Sequence, residues 1–251
     1  MVHFVGAGSG AADLITVRGA KLLREADVII YAGSLVNPAL LDYAREGAEI
    51  HNSAKMTLEE VMDVIRAAEA AGRTVVRLHT GDSSIYGAVR EQFDLLDAAG
   101  IEYDVCPGVS SFCGAAAALK AEYTLPGVSQ TVIISRAAGR TPVPEKESIR
   151  SLAAHKATMI LFLSMSIIDK LQAELTEGGI SADTPAVIVY KATWPDERIY
   201  HCTVGTLAAT AKEHDVKRTA LVIVGEFLGK EYGRSKLYSP DFSTEYRSAK
   251  A

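Results

Sequence analysis

Short apolar runs alternate along the first half of the chain with amphipathic stretches. HFVGA (3–7), DVIIYA (27–32), TVVRLHT (74–80) and IEYDVC (101–106) have the length and composition of strands. Between them, TVRGAKLLREA (16–26), TLEEVMDVIRAAEAAG (57–72) and YGAVREQFDLLDAAG (86–100) carry apolar residues at three-and-four spacing, the signature of helices with one buried stripe. Thr57 followed by Glu60 forms a capping box at the start of one helix, and Gly72 supplies its stop. Strands alternating with helices predict a mostly parallel sheet covered on both faces.

The rhythm changes after the alanine-rich GAAAALKAE (114–122). New strands are predicted at TVIIS (131–135), TMILFLS (158–164), TPAVIVYKA (184–192), RIYHCTV (198–204) and TALVIVGEF (219–227), with helices near 145–154, 166–177 and 205–213. WPDE (194–197) between two adjacent strands reads as the turn of an antiparallel hairpin, so this second sheet is mixed. The fold class is α/β: two lobes, a mostly parallel N-terminal sheet and a mixed C-terminal one, with the active site in the cleft between them. The expected divisions are 1–118, 119–230 and an aperiodic tail, 231–251.

Composition narrows the function classes. A 251-residue chain can bury a substantial core, and 48% hydrophobic with 23% charged residues is ordinary for a globular enzyme. A formal charge of −5 argues against nucleic-acid or anionic-membrane partners. Cys106, Cys113 and Cys202 form no C-x-x-C pair and the histidines lack ligand spacing, so no metal site is expected and the thiols read as buried and free. No basic segment leads into an apolar run at the start, and the longest uncharged stretch, 105–119, contains Pro-Gly and is too short to span a bilayer. The expectation is a soluble cytoplasmic protein.

Three glycine-rich turns carry the candidate chemistry. Gly6, Gly8 and Ala11 match a loose dinucleotide-binding fingerprint. The supporting features fail, however: the best helix N-cap is Thr16, five residues past Ala11, and no acid closes the second strand to hold a ribose, Asp27 lying at its other end. The second turn, HTGDSSIYGA (79–88), sets Asp82 just past a strand's carboxyl end, where open α/β sheets bind ligands. Its plainer reading is an N-cap for a helix over SSIYGAV. The third, CPGVSSFCGAA (106–116), again places small residues before a helix. Three such turns from one sheet would converge on one crevice and admit close backbone approach to a ligand.

Taken in order, VGAGSGAADLITVRG, YAGSLV, NSAKMTLEE, HTGD, CPGVSS, SRAAGRTPVPE and VYKATWPDE resemble the tetrapyrrole methyltransferase family over about residues 1–230, and within it the C-11 methyltransferases acting on precorrin-4 in cobalamin biosynthesis. The resemblance implies two αβα lobes, S-adenosylmethionine as methyl donor with S-adenosylhomocysteine as product, and a homodimer. Carried over position by position, it assigns Thr80, Gly81, Asp82, Ile85, Ser110 and Ser111 to the methionine and ribose end of the cofactor. Leu163, Ser164, Ala192 and Thr193 would line the adenosine pocket. The opening loop (Gly8, Ser9, Gly10) would face the tetrapyrrole, and Tyr86 either faces the same ring or packs in a core. This sequence departs from the family pattern at Ser9 and Ser83, where proline is usual, and at Gly33, where relatives often carry an acid; a carboxylate base at that point is therefore not expected. The YAGSLV form resembles the oxygen-requiring branch, whose substrate lacks cobalt.

A substrate bearing eight carboxylates calls for cations. Arg136 and Arg140 share one loop suited to bidentate contacts, with Arg18 and Lys55 as further candidates. Methyl transfer is an in-line displacement that depends on holding donor and nucleophilic carbon together, so no catalytic side chain is assigned. His79 reads as structural. The alternatives are the cobalt-precorrin-4 enzyme, a uroporphyrinogen-III or precorrin-3 methyltransferase, an NAD-dependent dehydrogenase, a nucleic-acid methyltransferase and a non-catalytic tetrapyrrole carrier.

Overall fold

The computed structural model describes residues 1–249 except Ser34 in the YAGSLV segment. The chain divides into two compact units, Met1–Ala115 with Lys191–Glu197, and Ala116–Tyr190 with the residues from Arg198 onward. Segment 191–197, which the sequence assigns to the second lobe, therefore belongs with the first unit.

The first unit contains β1 (Val2–Gly6), α1 (Val17–Glu25), β2 (Val28–Tyr31), β3 (Glu49–Asn52), α2 (Leu58–Ala70), β4 (Val75–His79), α3 (Arg90–Ala99), β5 (Tyr103–Cys106) and the start of α4 (Ser111–Leu119). Its sheet is wholly parallel, in the order β3-β2-β4-β1-β5. Strand alternation sorts side chains to two layers. Val5, Ile29, Val76 and Leu78 pack with Ala20 and Leu23 of α1. Phe4, Val28, Ile30 and Val75 pack with Met62 and Ile65 of α2 and Leu96 of α3. Local signals fix the helix ends: the Thr16 hydroxyl accepts from the Gly19 N–H at 3.0 Å, the Thr57–Glu60 capping box forms, and Gly100 takes the left-handed conformation (φ +64°) after α3.

Two features depart from the sequence pattern. EIHN forms the edge strand β3, although its alternation is too short and too polar to announce a strand; pairing with β2 makes it one. Residues 83–89 form turns, and α3 begins only at Arg90, so Asp82 does not cap a helix over SSIYGAV.

The second unit contains β6 (Val132–Arg136), α5 (Ile149–Ala153), β7 (Thr158–Phe162), α6 (Ile168–Glu177), β8 (Pro185–Tyr190), β9 (Arg198–Thr203), α7 (Leu207–Glu213) and β10 (Ala220–Val224). The sheet order is β6-β7-β10-β8-β9, with β6–β7 parallel and every other pair antiparallel. Met159, Leu161, Ile188 and Val222 meet Leu171, Leu175 and Leu207 in one core. Each such fully buried aliphatic side chain contributes roughly 1.5–3 kcal/mol by leaving water. No described helix is long and apolar enough to cross a membrane.

Candidate functional site

The three glycine-rich turns leave the carboxyl ends of β1, β4 and β5, neighbouring strands of one parallel sheet, so they meet. Gly8 and Gly81 form a short antiparallel bridge, each N–H donating to the other's carbonyl at 3.2 and 3.1 Å. Backbone packs on backbone here: a Cβ on Gly6 would lie 2.6 Å from Gly108 Cα. Gly8 and Gly81 also hold φ of +83° and +61°, so glycine is required for conformation as well as for space.

Asp82 ties two of these turns together. One carboxylate oxygen accepts the Gly108 N–H at 2.8 Å, and the other accepts the Ser84 N–H at 2.9 Å and the Ser84 hydroxyl. Partial burial pushes its pKa up, but the Ser84 hydroxyl and the two backbone N–H groups outweigh burial and hold it below the usual carboxylate range. Asp82 is thus anionic at neutral pH. Ser110 is buried and precedes half-buried Ser111, the first residue of α4.

The following loop is tightly wound. Tyr86 and Ala88 adopt left-handed φ of +54° and +48°, and a Cβ on Gly87 would meet the Ser83 backbone. Tyr86 nevertheless stays 45% exposed. Thr80 and Ile85 are half-buried on either side of Asp82.

Segment 191–197 closes onto the opening loop within the same unit. The Thr193 hydroxyl accepts the Ala11 N–H at 3.0 Å and lies 3.1 Å from the Ser9 hydroxyl. Asn37 donates to the Gly10 carbonyl at 2.9 Å, and a Cβ on Gly10 would strike Trp194. Lys191 pairs with Asp196 at 2.6 Å and sits 5.2 Å from the Trp194 ring centroid. Glu197 accepts the Thr193 N–H at 2.6 Å, which helps hold Thr193 at φ +68°. Ser9, in place of the family's proline, is buried and anchored through Thr193. Ala192 is also buried.

In the second unit the candidate residues gather at the carboxyl ends of the parallel pair β6–β7. Ser164 is fully buried, accepting the Ala137 N–H at 2.9 Å and donating to the Phe162 carbonyl at 2.7 Å. The preceding Leu163 has φ +51° and is 61% exposed. The Arg136 guanidinium donates to the carbonyls of Pro142 (2.8 Å) and Thr141 (3.2 Å), so it organises its own loop, while Arg140 is exposed. Arg18 and Lys55 are exposed on the first unit. Cys106 is buried as expected, whereas Cys113 is exposed, because it falls on an outer position of α4.

Sequence reading took His79 as structural, as it is, but passed over Arg77 beneath the second turn. β4 presents Val75, Arg77 and His79 to the α2–α3 layer, so an arginine and a histidine lie in an apolar stratum. Burial, aided by the Arg77 charge, depresses the His79 pKa to about 3, and the imidazole is neutral and stacked on Phe4. An unfolded histidine titrates near 6.5. The unfolded state therefore binds the extra proton between pH 6.5 and about 3, and stability falls as pH falls through that window. From pH 7 to pH 5 the expected loss from this residue is about 2 kcal/mol. Denaturant melts of His79→Leu at the two pH values should lack that increment, and an undiminished increment would contradict a neutral buried imidazole.

An all-parallel sheet with glycine-rich turns at its carboxyl edge, joined in sequence to a mixed five-stranded α/β unit, defines the class, and a family model confirms it. Residues 1–208 match the Tetrapyrrole (Corrin/Porphyrin) Methylases, and the chain belongs to that family. It is 55% identical over 249 residues to the cobalt-precorrin-4 C(11)-methyltransferase of Methanocaldococcus jannaschii, covering 99% of this chain and 96% of that protein. The precorrin-4 C(11)-methyltransferase of a Sinorhizobium species is 44% identical over 248 residues, covering 98% of each chain. Among solved structures, a cobalt precorrin-4 methyltransferase superposes with a TM-score of 0.89 at 46% identity, over 91% of this chain and 96% of that one. A uroporphyrin-III C-methyltransferase from Thermus thermophilus, complexed with S-adenosylhomocysteine, gives 0.76 at 26% identity, over 90% and 92% of the two chains.

Proposed function

We propose that this chain is an S-adenosylmethionine-dependent C-methyltransferase that methylates C-11 of a precorrin-4 macrocycle to give the corresponding precorrin-5 in cobalamin biosynthesis. The observation that carries the reading is the 55% identity to the Methanocaldococcus jannaschii protein across almost the whole of both chains. That relative's name refers to the cobalt form, which favours a cobalt-bearing substrate over the metal-free one suggested by YAGSLV. A cytoplasmic location and, on the family resemblance, a homodimer complete the reading.

The residues suit the cofactor. S-adenosylmethionine, when bound, supplies a sulfonium methyl group. Asp82 is ionised and half-buried, Thr80, Gly81, Ser110 and Ser111 are small, and Leu163 offers an exposed apolar face. Thr80, Gly81, Asp82, Ile85, Ser110 and Ser111 would hold the methionine and ribose portions, and Leu163, Ser164, Ala192 and Thr193 the adenosine. Ser164 and Thr193 act through the backbone they fix, since their hydroxyls are already engaged. Gly8, Ser9, Gly10 and Tyr86, with Arg18, Lys55 and Arg140, are assigned to the macrocycle and its carboxylates, and Arg136 acts there through the loop that its guanidinium organises. The work of the chain is to orient and to exclude water, an effect that can supply several kcal/mol of barrier lowering.

Calorimetry of ligand-stripped protein with S-adenosylhomocysteine and, separately, NAD tests the cofactor class. Micromolar binding of the first, about −8 kcal/mol, with no binding of NAD is expected; NAD binding alone would overturn the reading. Incubation with precorrin-4 and cobalt-precorrin-4 side by side, with the new methyl located by NMR, tests the substrate. Methylation at a carbon other than C-11 would place the chain with a different member of the family.

A further inference from the structure

Arg77 is surrounded by apolar structure, yet no carboxylate accompanies it among its hydrogen-bond partners in the described residues. It is 6% exposed and lies in register between Phe4 of β1 and Ile30 of β2, both fully buried. Burying an unpaired guanidinium is costly, and here its pKa falls to about 10 through desolvation while it remains cationic at neutral pH. An aliphatic residue would satisfy the core at this position at lower cost.

What the guanidinium touches suggests why a cation stands there. Its Nη1 donates to the Ile30 carbonyl at 3.1 Å, and its Nε donates to Gln92 Oε1 at 3.1 Å. Gln92 is itself 4% exposed, and its Nε2 donates to the Ala88 carbonyl at 2.9 Å. A single rigid fork thus fixes the Gln92 amide, and the amide fixes the far end of the 83–89 turn. The near end is held by Asp82 through Ser84. Between these two anchors lie the left-handed residues Tyr86 and Ala88, a conformation that costs roughly 1–2 kcal/mol per residue and persists only when its surroundings hold it. Arg77 also lies on β4, which ends at His79 and leads directly into Thr80, Gly81 and Asp82, so one residue links the sheet interior to both ends of the turn.

We propose that Arg77 and Gln92 are positioning residues: through the Arg77–Gln92–Ala88 relay they set the 83–89 turn, and with it Ile85 and Tyr86, in the geometry the cofactor and macrocycle require. The inference deepens the methyltransferase reading and rests on it for what the turn binds.

Gln92→Glu separates positioning from mere core stability. The carboxylate keeps the acceptor for Arg77 and adds an ion pair, but it has no N–H for the Ala88 carbonyl. Hydrogen–deuterium exchange of the ligand-free variant should show amides 83–89 exchanging about tenfold faster while the melting temperature is held or raised. S-adenosylhomocysteine affinity should fall about tenfold. Gln92→Met, which removes both contacts, should weaken binding similarly but also melt earlier, and Arg77→Lys should recover only part of the Arg77→Met loss. Unchanged exchange in Gln92→Glu overturns the proposal, and so does faster exchange with unchanged affinity. If the wild-type protein binds no S-adenosylhomocysteine, the methyltransferase reading fails, and the exchange measurement still decides whether the relay holds the turn.

Discussion

Gly108→Ala is expected to destabilise the protein by about 3 kcal/mol or more, because overpacking against unyielding backbone cannot be relieved by a rotamer change. For a chain of this length that corresponds to a fall in melting temperature on the order of 10 °C. The added Cβ would press on the Gly81 carbonyl and lie 2.7 Å from Gly6 Cα, so it would wedge all three turns apart at once. Gly100→Ala is the comparison. That residue has positive φ (+64°), but nothing lies within 4 Å of its Cβ position, so only the conformational cost of about 1 kcal/mol applies. Thermal melts of the two variants should differ by several degrees. Equal melting temperatures would show that the turns separate easily, and the close packing of Gly6, Gly81 and Gly108 would lose its significance.

Asp82→Ala should reduce S-adenosylhomocysteine affinity about 100-fold, or 2.7 kcal/mol. The substitution strips acceptors from the Gly108 N–H and the Ser84 N–H together, and hydrogen bonds to a charged group contribute roughly 1.5–3 kcal/mol each. Asp82→Asn keeps one acceptor oxygen and should fall between the two. Calorimetry at constant pH measures both. Unchanged affinity in Asp82→Ala would remove the turn from the cofactor site, whereas lost affinity with an unchanged melting temperature would point to direct contact with the ligand. The depressed pKa of Asp82 adds a sign that can be checked: its contribution is complete above the ordinary carboxylate range and is lost as pH falls through its lower folded value.

Much of this organisation was legible in the residues. Thr16, the Thr57–Glu60 pair and Gly72 are local devices whose effect lies within a few residues, and the helices start and stop at them. The apolar runs of β1, β2 and β4 are buried on both faces, so their pattern survives whatever lies around them. β3 was not legible because its strand character comes from pairing with β2 rather than from its own side chains. The turn at 83–89 was misread as a helix start for a related reason: Gln92 and Asp82 hold it from outside the segment, against the helix that SSIYGAV would otherwise favour.

The candidate site divides along the same line. The small and acidic residues of the turns stood out because glycine, serine and aspartate after a strand are unusual enough to mark a ligand site on their own. That the Thr193 hydroxyl serves Ala11 and Ser9, and that the Arg136 guanidinium serves its own loop, depends on which groups meet over separations from a few residues to more than 180. Arg77 was hidden for the opposite reason, since one charged residue in an apolar run reads as exposed until the sheet shows both of its faces covered. The sequence by itself determined most of the elements and the class of fold, because periodicity, caps and turn chemistry act over short range, and its ordered motifs carried the family resemblance. The tertiary structure alone decided which polar groups are spent holding the turns and which remain for a ligand, because a hydrogen bond between distant residues is set by packing and leaves no local pattern.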